Sequence, residues 1–173
     1  MKGAGHFYAG MVTSCRPGEG RQDRTVAIDD PVSLSKANAD WLEPATLFGL
    51  FSADRQFLLA ISMPSPGAVD DTDVEGVWRL VELLDDWDIM GAGCAVGVTG
   101  SRYGCPAFVM PALDGSVFGQ GTVWQDSIGT AVLPHPRRVR SLQDVARLNV
   151  GKPYRTTAED EDALAWLATQ EES

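Results

Sequence analysis

Cys105 and His135 are the side chains in this sequence best suited to nucleophilic chemistry. A thiolate attacks, an imidazole takes up its proton, and Arg102 lies three residues before the cysteine, where a guanidinium would lower the thiol pKa. His135 sits between Pro134 and Pro136, a rigid segment able to hold a ring in place. No spacing brings the two together, and a buried, inert thiol is the commoner fate of a cysteine. The catalytic residues therefore stay unknown at this level. The stronger chemical signal is charge. Residues 70–90 carry eight acids against Arg79 alone, residues 91–155 reverse the balance with seven bases against three acids, and six acids and no base follow Arg155. Asp85, Asp86 and Asp88, with Trp78, are expected to face a basic partner protein, since segregated charge steers a complementary surface to one face. The competing reading is a solvated helix face.

Two short patterns add alternatives. Asp71, Asp73, Glu75, Gly76 and Glu82 fall at positions 1, 3, 5, 6 and 12 of a twelve-residue stretch, with Trp78 at position 8. The spacing resembles the EF-hand calcium loop, in which a hard cation takes several oxygens from one tight turn. Glu75 is longer than the usual ligand there, and Arg79 stands at position 9. The same residues also read as an acidic, capped helix start, and that reading is preferred. Gly97-Val98-Thr99-Gly100-Ser101-Arg102 is a strand entering a Gly/Ser/Arg loop, which can offer amides and a guanidinium to a phosphate. It is similar to the strand-loop of the Rossmann-like family that binds nucleotide-derived ligands and includes the lysine-decarboxylase-like proteins. The resemblance implies a phosphate or nucleotide site at 97–102, but it covers six residues, and Cys105 to Met110 reads as a strand where the family has a helix. Cys15, Cys94, Cys105, His6 and His135 lack metal-ligand spacing. No metal and no cofactor is expected.

The elements that must position these groups follow from period and punctuation. Arg24 to Ile28 reads as a short strand. Asp30-Pro31 opens a helix whose face carries Leu34, Ala37 and Trp41 and which should stop before Glu43-Pro44. Thr46 to Phe51 and Gln56 to Met63 read as a hairpin. Thr72 and Glu75 have capping-box spacing, and Val77, Leu80, Val81, Leu84 and Trp87 recur at helical period, which predicts an acidic helix within 70–90, capped by Gly91, with Leu84 buried. Cys94 to Thr99, Pro106 to Met110, Ser116 to Trp124 and Ala131 to Leu133 read as strands, with a turn at Asp114-Gly115. Helices open at Ser141 and Thr157. Trp124-Gln125-Asp126-Ser127 and the tryptophans at 41, 78, 87 and 166 are candidates for an interface, where aromatics are enriched, with three or four of the tryptophans expected in the core instead.

The fold class expected is α+β: a mostly antiparallel or mixed sheet with about four helices packed on it in one pair of layers. The 173 residues suit a single domain, with a loop-rich segment at 1–23 and an acidic C-terminal helix at 156–173. A net charge of −10 disfavours nucleic acid as the main partner. Three sparse cysteines suggest reduced thiols and a cytoplasmic location. Val12-Thr13-Ser14-Cys15 looks like a lipoprotein cleavage site, but residues 3–10 are too broken by glycine and histidine for an apolar leader, so no export and no membrane role is expected. The functional expectation is a small acidic interaction protein, inhibitor- or immunity-like, that binds a basic partner through its 70–90 helix. Its alternatives are an enzyme using Cys105 and His135 or the 97–102 loop, and a calcium-binding loop at 71–82.

Overall fold

The computed structural model describes residues 14–16, 18–64, 74–96, 98–99 and 107–168, with the backbone alone at 62–64 and 74–77. Four strands form the main sheet: β1 (Gln22–Ala27), β4 (Phe108–Pro111), β5 (Val117–Val123) and β6 (Ser127–Pro134), all antiparallel in the order β1-β6-β5-β4. A separate antiparallel ribbon pairs β2 (Gln56–Pro64) with β3 (Val74–Glu82). The helices are α1 (Ser33–Leu47), the single turn α2 (Ala92–Ala95), α3 (Arg140–Asn149) and α4 (Thr157–Ala168). The α+β reading holds, with four helices packed on antiparallel sheets. Among the described residues no helix is long and apolar enough to cross a membrane.

Strand alternation separates two cores. Along β5, Val117 and Phe118 are both buried but belong to different clusters, and so do Val132 and Leu133 on β6. One face of the main sheet meets α1, whose Ala37, Trp41 and Ala45 recur every four residues. Trp41 is fully buried, edge-on to Trp87 at 5.1 Å, Phe108 at 5.8 Å and Phe51 at 6.3 Å. Phe57 and Leu59 of β2 join this cluster. On the other face, Phe118 and Leu133 pack against Leu142 and Ala146 of α3 and Ala163 and Trp166 of α4.

Four elements differ from the expectation. Helix α1 does not stop before Pro44 but carries it in its interior and runs to Leu47. A helical proline removes one hydrogen bond at a cost of about 3 kcal/mol. Here Pro44 and Ala45 are buried, and packing offsets the loss. Residues 46–51 therefore supply no strand, and β2 needs another partner for its backbone groups. It finds that partner in 74–82, where the acidic helix was expected. Gln56 pairs with Glu82, Leu58 with Leu80 and Ala60 with Trp78. Three β-branched valines (Val74, Val77, Val81) and Trp78 suit a strand, and Gly76 is poor in a helix interior. Leu84 is accordingly 60% exposed while Leu83 is buried. Lastly, no strand forms among the described residues of 94–99: Ala92–Ala95 is helical, and Gly91 is its N-cap instead of a C-cap.

Candidate functional site

The acidic residues singled out from the sequence lie on a loop that leaves β3 and returns to α1. Its root is fixed by Arg55. The Leu83 amide donates to the Arg55 carbonyl at 2.9 Å, and the Arg55 guanidinium donates to the Leu84 carbonyl at 2.9 Å and pairs with Asp85. Leu83 drops into the core and turns Leu84 outward. The Asp85 side chain remains 97% exposed despite its ion pair, and Asp86 is exposed beside it. Trp87 then packs back on Trp41.

Asp88 fixes the far end. Its carboxylate accepts from the Gly91 amide at 2.8 Å, the Asn38 side-chain amide at 2.6 Å and the Ala92 amide at 3.0 Å. These bonds favour the charged form, the Gly91 amide most, and hold the carboxyl below its ordinary pKa. Asn38 also accepts from the Met90 amide at 3.2 Å, and the Thr99 hydroxyl donates to the Ile89 carbonyl at 2.9 Å. The loop is therefore tied at both ends, and Leu84-Asp85-Asp86 forms its tip.

The structure thus brings Asp85 and Asp86 to one exposed tip and turns Asp88 to internal work. Trp78 is elsewhere. It stands half-buried in β3 beside Ala60, outside the loop. The sequence reading missed Arg55 and Asn38, the two residues that shape the loop. Asp88, three residues before Gly91, carried a signal for its own role, since a short carboxylate just ahead of a helix turn competes well for nearby backbone amides.

The other candidates fare differently. Cys105 and most of the 97–102 loop lie outside the described residues, and the strand that the Rossmann-like resemblance requires before that loop is not formed. His135 is exposed in a left-handed backbone conformation (φ 51°), its amide donating to the Ser116 carbonyl at 2.6 Å. Residues 71–73 of the calcium pattern are outside the described residues as well. Its remainder, Val74–Glu82, is extended strand with Gly76 paired to Ser62 instead of forming a turn. Among the described residues no three His, Cys, Asp or Glu side chains gather as a metal site.

One more reactive cluster is structural. Glu19 accepts from the Ser141 amide at 3.1 Å and from the Ser141 hydroxyl, and so caps the start of α3. The Ser141 hydroxyl contributes most to keeping that carboxyl below its ordinary pKa. Cys15 lies buried beside it, and burial first, then the Glu19 charge, push its thiol pKa up. Such a thiol is a poor nucleophile. No family model, no curated protein and no solved structure matches the chain.

Proposed function

We propose that this protein is an interaction module that docks a basic partner protein through the Leu84-Asp85-Asp86 tip. One observation carries the reading: an exposed leucine stands between a buried leucine and two exposed carboxylates, on a loop pinned at both ends. An apolar side chain ringed by charge is the arrangement of an interface anchor and its rim. A loop already held in shape loses little entropy on binding. The overall charge of −10 adds long-range attraction for a cationic surface.

The test begins with affinity capture from the native host and continues with association rates across a salt series. Asp85→Asn with Asp86→Asn should slow association and flatten its salt dependence, because charge acts mainly on the encounter. Leu84→Ala should instead speed dissociation. A double aspartate variant that associates as fast as wild type at every salt concentration would remove the docking role of this tip.

A further inference from the structure

Among the described residues, the face of the main sheet that carries α3 and α4 is covered at one end only. Strand pairing sets two rows of residues on the remainder, Asp23–Ala131–Gln120 and Thr25–Gly129–Thr122, running across β1, β6 and β5. The middle strand contributes only alanine and glycine, and the flanking strands contribute polar side chains. The result is a furrow along β6 with polar walls, opening as a cleft of about 330 Å³. Strands are spaced so that the two walls stand roughly 10 Å apart, wide enough for one saturated ring and too narrow for a helix.

The lining has a definite chemistry. Trp124, 62% exposed as a residue, closes the end of the furrow in the β5–β6 turn. A Cβ placed on Gly129 would lie 3.3 Å from Trp124 Nε1 and 3.3 Å from Thr122 Oγ1, so the glycine keeps open the space that these two atoms border. Gln120 lines the cleft while its side-chain oxygen is shut from solvent without a donor. An orphaned acceptor is a standing cost, and turning the amide to a donor in the cleft would relieve it. Arg21 and Asp23 form an ion pair at 2.9 Å within the wall, and Arg24, which also lines the cleft, donates to the Asp23 carbonyl at 3.2 Å, so the lining holds two guanidiniums and one carboxylate. Acceptors therefore stand beside donors around an aromatic surface.

We infer that this cleft binds a neutral, hydroxyl-rich ring: one sugar unit of a carbohydrate. Hydroxyls both donate and accept, and they match the mixed set of carboxylate, guanidinium, amide and threonine groups. The C–H face of a sugar ring suits the exposed face of an indole. A phosphate or carboxylate could meet Arg24 but would also meet the Asp23 carboxylate and could not donate to Gln120, and an apolar ligand would leave both walls unpaired. The site is separate from the acidic tip and does not depend on it.

Ligand-observed NMR titration with glucose, galactose, mannose, N-acetylglucosamine and inorganic phosphate tests the assignment. At least one sugar should bind saturably with a Kd of about a millimolar, and Trp124→Ala, Gln120→Ala and Gly129→Val should each weaken it by about tenfold or more. Gly129→Val places a β-branched residue in a paired strand, where it is compatible with folding. Thermal melts verify this, and Trp124→Ala, in an exposed turn, gives the same readout should the valine unfold the sheet. Asp85→Asn with Asp86→Asn should bind the sugar as wild type does, which separates this site from the docking loop. The inference is overturned if no sugar binds at about 50 mM, a concentration that saturates a millimolar site, if phosphate binds in their place, or if Trp124→Ala and a folded Gly129→Val bind as wild type does.

Discussion

The main sheet and the segment from Leu83 to Ala92 place their residues by different means. In the sheet, position follows from register: Val117 and Phe118 are neighbours in sequence and serve opposite cores because successive strand residues point to opposite faces. In the segment no period operates. Leu83 is buried and Leu84 exposed because Arg55 holds both backbones from a different turn, and the exposed Asp88 is fixed in place because three donors, from Asn38, Gly91 and Ala92, meet it. A repeating rule spreads the determinants of structure over many residues, while a set of single hydrogen bonds concentrates them in a few. Substitutions should therefore show steep differences between adjacent positions in the segment and between faces in the sheet.

The largest contrast is expected between the two leucines. Leu83→Ala removes a side chain buried with Phe57, Leu59 and Met90, and should cost about 2–5 kcal/mol in a denaturant titration. Leu84→Ala touches a side chain largely in water and should cost less than about 0.5 kcal/mol. Equal losses would mean that the loop does not turn between the two residues, and would also take away the exposed anchor of the proposed docking tip.

Two glycines sharpen the same contrast across the sheet. At Gly121 an added Cβ would lie 2.3 Å from Phe108 Cε1, and Phe108 is buried against Trp41 with no room to withdraw. Gly121→Ala should cost about 1–3 kcal/mol through overpacking. At Gly129, on the open face, the nearest atoms belong to Thr122 and the exposed Trp124, whose ring can swing toward solvent. Gly129→Ala should change stability by less than about 0.5 kcal/mol, since relief of glycine's entropy cost opposes a mild crowding. A large loss at Gly129 would show that the cleft face is as tightly packed as the other.

Legibility follows the same division. Helices α3 and α4 were readable because their signals are local: Ser141 near the start of one, Glu159 and Asp160 in the first turn of the other, and Gly151 at φ 76° between them. The turn at Asp114-Gly115 was readable too, with the Ser116 amide donating to the Asp114 carboxylate. The strand at 74–82 was not. Val77, Leu80, Val81 and Leu84 satisfy a helical period as well as they populate a strand, and what decides between them is the need of β2 for a partner once 46–47 have joined α1. The cleft was illegible for a similar reason. Trp124 could be noted as an unusual aromatic, but its neighbourhood with Asp23 and Thr25 exists only after β1 pairs with β6, and that pairing leaves no mark in local sequence.

Asp88 offers the smallest effect and the finest test of the segment. Its carboxylate is partly exposed, so the bonds to Asn38, Gly91 and Ala92 act against solvent screening, and Asp88→Ala should cost about 1 kcal/mol, the usual worth of a cap. The pH dependence identifies the cause. Folding lowers the Asp88 pKa from its ordinary value of 3.8, chiefly through the Gly91 amide, so the unfolded chain binds this proton more readily than the folded one. The contribution is thus fully present above about pH 4 and fades as pH falls through the lowered folded value. Wild type and Asp88→Asn should differ in stability at neutral pH and converge as acid protonates the wild-type carboxylate. Asparagine keeps an acceptor for one amide but loses the charge, so the gap measures the charged part of the bonds. Circular dichroism melts of the two proteins between pH 7 and pH 3 supply the measurement. A gap that stays constant down to pH 3 would mean that Asp88 does not titrate with folding, and the far end of the loop would then have to be held by Asn38 and Thr99 without it.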